Sequence, residues 1–389
     1  MMVHEFQAKE LLSCYGLVSP GGKVAITGQE AENIARGFSS GSIVVKAQVH
    51  AGGRGRAGGV IVVNSPERAK SAAEKMLGQR LVTDQTGPLG RMTKRVYIER
   101  AIQARRELMI ALLVDTTTAE FVVIGSASGG DDMEERALRG ELKLERLPLR
   151  RDTEPSTGEI AAFAAALRLD GATQDAFCHL LLNLRRAFLE LDASSIEINP
   201  LIVDEAGALQ AFDVKMSLDD NALFKHSELA ALWDEDDFDH LELQSQRHHI
   251  NYVALDGNIG IAANGAGLGL ATLDMVRDAG GRPANFMDIR TTATSLNVAF
   301  GFGMLLKNPA MKVLLVNVHG GGMQPCDTIA EGLGIAARRT GRSLPTVVRL
   351  AGNNAEFARS RFANFGYPII DCRDMWTAAT KAVSIAGGA

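Results

Sequence analysis

From about residue 252 onward the chain repeats one pattern: a short apolar run, a glycine-containing turn, then a helical segment. The pairs are 258–263 with 268–279, 312–318 with 327–339, and 346–349 with 355–365. Ile369 and Ile370 then form a last short run ahead of a terminal helix. Strands that alternate with helices across short connections imply a parallel sheet covered on both faces. The earlier part of the chain has a different texture. Residues 4–15 read as an amphipathic helix with Phe6, Leu11, Leu12 and Tyr15 on one side. Valine-rich runs at 41–49 and 59–63 flank a glycine loop, and 65–77 reads as a helix opened by Ser65 and Pro66. Strands are expected at 95–98, 108–114 and 121–124, helices at 156–169 and 173–191, and β runs at 195–203 and 209–216. An acidic stretch at 234–240 separates the two textures, so domains are expected over 1–240 and 241–389.

Composition removes several function classes. Lysine and arginine total 41 against 46 acids, a net charge of −5 spread along the chain, which argues against nucleic-acid binding and a polybasic membrane anchor. The most apolar stretch, 298–318, is interrupted by Lys307, Asn308, Pro309 and Lys312 and does not suit a membrane span. The opening residues carry Glu5, Lys9 and Glu10 where a signal peptide needs an apolar run. Cys14, Cys178, Cys326 and Cys372 lie far apart, suggesting neither a disulfide framework nor a zinc site, and a reducing cytoplasm is the expected compartment.

The forty glycines cluster in a few loops. In VVKAQVHAGGRGRAGG, residues 44–59, glycines at 52, 53, 55, 58 and 59 let backbone N–H groups approach a ligand. Lys46, Arg54 and Arg56 add positive charge, so the segment reads as a cradle for nucleotide phosphates. It is not a P-loop, whose lysine follows the glycines. Composition alone also fits a flexible connection between strands.

A second segment, SSIEINPL at 194–201, is followed by AFDVKM at 211–216. A three-residue loop, 205–207, with Gly207 left-handed, makes a common hairpin in which opposed residue numbers sum to 412. Asn199 then faces Asp213 and Glu197 faces Lys215, all on one side of the ribbon. A carboxylate beside an amide oxygen suits Mg²⁺, which takes a few protein oxygens together with phosphate and water. Polar residues on a solvated hairpin face are the plainer alternative. Two further glycine turns, in GIAANGAGLGLA at 260–271 and HGGGMQPCD at 319–327, follow strands and open helices, the usual place for anions in open parallel sheets. Cys326 stands before a helix, where the dipole would lower its pKa, but no partner for a nucleophile is visible.

Taken together, HEFQAKELL, VVKAQVHAGGRGRAGG, GQRLVTDQTGP, IEINPLIV, DVKMSLDDNALF, NYVALDGNIG, NGAGLGLATLDM, GGRPANFMD and VVRLAGNNAEF resemble the β subunit of succinyl-CoA synthetase (succinate–CoA ligase). The likeness runs in order from residue 1 to about residue 380, and DVKMSLDDNALF and VVRLAG are especially similar to the malate–CoA ligase branch. The resemblance implies an ATP-grasp domain followed by a flavodoxin-like CoA-ligase domain, an α/β and α+β chain. It implies an α subunit that binds CoA and carries a phosphohistidine, in a heterodimer or heterotetramer. It also implies ATP or GTP as cosubstrate, Mg²⁺ and a dicarboxylic acid. By motif, Lys46 with Gly53, Arg54 and Gly55 would hold phosphates, Glu99 and Ile102 would border the base, and Glu107 would reach the ribose. Asn199 and Asp213 would bind Mg²⁺, Glu197 would support the phosphohistidine, and Asn264 with Gly320, Gly321 and Gly322 would meet the acid's carboxylate.

Departures sit in the second half. Where the family pattern has Gly-Gly-Gly-Ala-Thr, this chain has Arg290-Thr291-Thr292-Ala293-Thr294. The 320–327 loop is one residue longer than the family's and lacks its arginine, and His319 replaces an apolar residue. Arg290 offers a bidentate partner for a carboxylate. The expected acid is therefore malate or another substituted or bulkier acid rather than plain succinate. A citryl-CoA synthetase-like subunit and a nucleotide sensor with a decayed acyl site are the alternatives.

Overall fold

The computed structural model describes the chain apart from residues 39, 40, 89, 131, 236–239, 388 and 389 and the side chain of Glu134. Most of the acidic stretch expected to separate the domains therefore lies outside the described residues. The chain divides into two compact units, Met1–Asp237 and Phe238–Ala389.

The first unit holds two main sheets and a two-stranded one, Arg80–Leu81 with Arg91–Met92. In the smaller main sheet, strands run in the order Gly22–Ala25, Val96–Arg100, Ile43–Ala47, Val60–Val63, with all neighbours antiparallel. Helices Gly28–Arg36 and Pro66–Met76 pack on it through Ala31, Ala35, Ala69, Ala72 and Ala73, whose small side chains permit a close approach. The second helix starts as expected: Ser65 accepts from the Arg68 N–H, and Pro66 needs no partner at the first turn. The larger sheet runs Met2–Val3, Val214–Leu218, Ala193–Asp204, Ala104–Asp115, Glu120–Ser126, Glu145–Leu149, with Leu209–Ala211 also paired to Ala193–Asp204. Helices Thr157–Ala166 and Gly171–Glu190 bury Phe163, Phe177, Leu181, Leu184 and Phe188 in its core.

In the second unit the order is Ile250–Ala254, Asn285–Ile289, Ile259–Ala263, Val313–Gly320, Thr346–Gly352, Ile369–Asp371. Only the first of these pairs antiparallel, at the edge. Numbered along the chain, the parallel strands stand in the order 2-1-3-4-5, the doubly wound, flavodoxin-like arrangement. Buried Asn285 helps to join the first two, accepting from the Ile261 N–H at 3.0 Å and donating to the Ile261 carbonyl at 2.8 Å. The order reverses between Ile259–Ala263 and Val313–Gly320, so the strand-end crevice of such sheets falls beside Asn264 and His319.

Three sequence expectations need correction. Helix Glu5–Ser13 forms and buries Leu12 as expected, with Phe6, Leu11 and Tyr15 part-buried, but its other buried residues are Glu5, Ala8 and Lys9. The run 209–216 is broken at Phe212 and Asp213 into Leu209–Ala211 and Val214–Leu218. The apolar stretch beginning at 298 belongs to helix Ser295–Lys307, which opens with a Thr294–Asn297 capping box and went unpredicted, as did strand Asn285–Ile289. Among the described residues no helix is long and apolar enough to cross a membrane.

Candidate functional site

The hairpin forms in the expected register. Asp204 and Ala208 close it with a 3.0 Å backbone hydrogen bond, and Asp204 Oδ1 accepts from the N–H groups of Ala206 and Ala208, both at 2.9 Å. Gly207 has φ +81°. An alanine there would be strained and would bring its Cβ to 3.0 Å from Thr173 Oγ1. We expect Gly207→Ala to cost about 1–2 kcal/mol in urea unfolding; an unchanged midpoint would contradict the assigned turn.

Glu197 pairs with Lys215 and Ile198 with Val214, while the Asn199 N–H donates to the Asp213 carbonyl at 3.1 Å. Strand alternation then separates two faces. Ile196, Ile198, Val214 and Met216 enter the core, and Glu197, Asn199, Asp213 and Lys215 line a cavity with Gly52, Gly53, Arg54 and Gly55. Glu197 and Lys215 are 3.3 Å apart. The Asn199 amide is fixed by Gly130, accepting its N–H at 2.9 Å and donating to its carbonyl at 3.2 Å.

Lys46 and Arg54 do not present free charge to this cavity. Lys46 is 1% exposed, pairs with Glu5 at 2.8 Å and with Glu99, and donates to the Phe212 carbonyl at 2.5 Å. Arg54 is turned inward onto the Ala47 carbonyl (2.9 Å), Glu5 (2.7 Å) and Asp213 (2.7 Å). Lys9 joins the same cluster through Glu5 at 2.9 Å, Glu99 at 2.7 Å and the Phe212 carbonyl at 2.7 Å. Turning that carbonyl toward two ammonium groups accounts for the break in the strand at 212–213.

Three cations thus meet three carboxylates, all buried except Asp213, part-exposed at the cavity, and unpaired charge among them would be costly. Burial alone would raise the pKa of Glu5, but the combined field of Lys46, Lys9 and Arg54 holds it well below the ordinary carboxylate range. Glu99 is pushed up instead: burial dominates, only Lys46 and Lys9 oppose it, and the charge on Glu5 repels its own. Burial disfavours the charged guanidinium of Arg54, yet Asp213 and Glu5 raise its pKa.

Of the residues assigned by resemblance, Gly53, Arg54, Gly55, Glu197, Asn199 and Asp213 come together at the cavity. Lys46 and Glu99 lie behind it in the ion cluster, and Ile102 is part-buried in the turn after Val96–Arg100. Glu107, exposed on Ala104–Asp115, approaches the Gly130 turn that holds Asn199. Glu5 and Lys9 escaped the sequence reading; their signal was an opposite-charge pair four residues apart on a helix start. The Asn199 oxygen and the Asp213 carboxylate suit Mg²⁺, which needs only one or two carboxylates when phosphates complete its shell. Among the described residues no group of three or more His, Cys, Asp or Glu offers an alternative cage.

In the second unit, Asn264 is a clamp rather than a free amide. It donates to the His319 carbonyl and accepts the His319 N–H, both at 2.8 Å, joining the two strand ends where the order reverses. Gly320 lies against the 352–353 backbone, where an added Cβ would come within 2.3 Å of the Asn353 carbonyl oxygen, whereas Gly321 and Gly322 face open space. Cys326 corrects the dipole expectation: it is fully buried against the Ala351 carbonyl at 3.3 Å, and burial pushes its thiol pKa up. In the native protein Ellman's reagent should therefore modify exposed Cys14 rapidly and spare Cys326 until denaturant is added; rapid native labelling of Cys326 would contradict this.

Residues 2–203 match the ATP-grasp domain family and residues 262–383 the CoA-ligase family. Over 398 aligned residues the chain is 44% identical to the succinate–CoA ligase [ADP-forming] β subunit of Acidiphilium cryptum, covering 99% of this chain and 98% of that one. The chain belongs to the succinate–CoA ligase β-subunit family. The corresponding family member of Anaeromyxobacter dehalogenans is 42% identical, with both chains covered completely. The family fold extends to ATP citrate lyase of Methanothrix soehngenii, solved with citrate and coenzyme A, at a TM-score of 0.74. That match covers 98% of this chain and 99% of the other, and at 19% identity it is a likeness of fold alone.

Proposed function

We propose that this chain is the β subunit of an acid–thiol ligase that works with a separate α subunit, with nucleotide handled by residues 1–240 and the acid step served by residues 241–389. Backbone N–H groups at Gly53 and Gly55 bind the phosphates of ATP or GTP, and Lys46 and Arg54, held behind the loop by Glu5, Glu99 and Asp213, contribute once the phosphates compete for those pairs. Asn199 and Asp213 hold Mg²⁺, whose charge offsets that of the phosphates. Glu99 and Ile102 border the base and Glu107 the ribose.

The terminal phosphoryl group passes to a histidine nitrogen of the α subunit as its bond to the nucleoside diphosphate breaks. Glu197 orients that imidazole by accepting from its other ring N–H. The acid carboxylate then takes the phosphoryl group near Asn264 and the 320–322 turn. CoA, bound mainly by the α subunit, attacks the acyl phosphate through its thiol and releases phosphate. The acid is a dicarboxylate other than plain succinate, malate or a related substituted acid, and the complex, αβ or its dimer, acts in the cytoplasm.

The observation that carries this reading is the meeting of Glu197, Asn199 and Asp213 with the glycine loop at one cavity. Coexpression with the α subunit tests it. Labelled ATP should phosphorylate the α subunit, and the panel of acids should be turned over with malate or a substituted acid ahead of succinate. Absence of label on the α subunit would overturn phosphate transfer; fastest turnover of succinate would overturn the shifted acid.

A further inference from the structure

The two segments that depart from the family pattern are joined by a single buried side chain. Gln324 is 2% exposed. With its amide nitrogen turned toward them, it donates to the main-chain oxygens of Thr291 at 3.1 Å and Ala293 at 3.2 Å. Its main-chain carbonyl accepts the Gly321 N–H at 3.2 Å. The 290–293 segment is therefore fastened to the 320–324 turn.

A second set of bonds fastens it on the other side. The Arg290 guanidinium, exposed at the end of strand Asn285–Ile289, sets Nε and Nη2 on Asn251 Oδ1 at 3.0 and 2.6 Å. Asn251 Nδ2 donates to Asp288 Oδ2 at 2.9 Å, and Asp288 Oδ1 accepts the Gly265 N–H at 2.6 Å. This relay aims Arg290 from the turn that follows Asn264. Among the described residues no carboxylate pairs with Arg290, and Asp288, the acid of this relay, is buried and already committed. A guanidinium has five N–H donors, so most of its fork stays available for an anion.

We propose that Arg290 selects the acid, pairing with the second anionic group of a small dianionic acid, with Asn251 and Gln324 as its positioning residues. This rests on the reading that the second unit serves the acid step. The strand ending at Asn264 stands between Asn285–Ile289 and Val313–Gly320, so the 290 and 320 ends are two spacings of about 4.8 Å apart, and the Gln324 bridge fastens the segments that follow them. A diacid held at the 320–322 turn extends its second anionic group across these strand ends toward the Arg290 guanidinium.

The test uses the complex with its α subunit, titrating malate, succinate and succinamate by calorimetry, with labelled phosphate transfer from ATP measured in parallel. Arg290→Gln should weaken both diacids by about 10- to 100-fold, as loss of a charge-assisted pair predicts, while succinamate, whose far group is uncharged, changes less than about 3-fold. Arg290→Lys should fall between, keeping the charge but losing the fork. Gln324→Leu should weaken the diacids with Arg290 still present. Label transfer to the α subunit should match the wild type in all three. Equal diacid affinity in Arg290→Gln, or an equal loss for succinamate, would overturn the role of Arg290. Failure of label transfer in the wild type would overturn the ligase reading instead, and the diacid contrast would still decide Arg290.

Discussion

Replacing Glu5 by glutamine should lower the stability of the first unit by about 3–5 kcal/mol, the usual cost of removing one partner from a buried ion cluster. Glu5 touches Lys9, Lys46 and Arg54 at 2.7 to 2.9 Å, and all four side chains are buried. Glutamine would leave three cations against Glu99 and Asp213, with no water to take up the excess charge. Glu99 compensates only in part: losing the Glu5 charge removes one cause of its raised pKa, but burial, the larger cause, remains. Urea unfolding of the chain measures the effect, and a loss below about 1 kcal/mol would show the cluster to be solvated.

The sign of the pH dependence follows from the same pair. The pKa of Glu5 lies lower in the folded chain than in the unfolded one, so its contribution is complete above the ordinary carboxylate range and disappears as pH falls through the lowered value. Glu99 is raised, so its contribution runs the other way, present in acid and lost as pH rises through its folded value. Wild-type protein should lose stability on acidification more steeply than Glu5→Gln; parallel acid limbs would contradict the lowered pKa.

Asp213→Ala should reduce phosphate transfer to the α subunit by about 100- to 1,000-fold, the scale seen when one electrostatic contact to a developing charge is removed. Two losses combine. The substitution removes the carboxylate that stands opposite Asn199 across the hairpin, and it leaves Arg54 with one acidic partner instead of two. Asp213→Asn separates them, because its oxygen still reaches a cation whereas its charge no longer balances Arg54. It should recover part of the rate and little of the stability. Quantifying label on the α subunit decides the point: near-wild-type transfer in Asp213→Ala would remove this residue from the chemistry.

The hairpin was legible because its information is local. One left-handed glycine and strict alternation fix which residues face each other, and numbers summing to 412 reproduce the observed pairs from Ser195 to Ala211, failing only at Ala193 beyond a register shift. The doubly wound sheet was legible for a similar reason, since each glycine turn follows a short apolar run. The ion cluster was not. Glu5, Lys46, Glu99 and Asp213 come from four distant parts of the chain, and a helical pattern that counts charged positions as solvent-facing assigns Glu5 and Lys9 to the wrong side. Helix Ser295–Lys307 is apolar almost all round and so shows no stripe. The inward turn of Lys46 and Arg54 follows from acids lying beneath the glycine loop, which the loop's own residues do not announce.

The central claim is that the hairpin and the glycine loop together hold a metal–nucleotide complex. Crystals of the complex grown with Mn²⁺ and a non-hydrolysable ATP analogue test it most directly through anomalous scattering. The expected result is a manganese peak coordinated by the Asn199 side-chain oxygen and the Asp213 carboxylate, with phosphates against Gly53 and Gly55. A nucleotide bound with its cation on other residues, and with side chains 199 and 213 turned away, would contradict it.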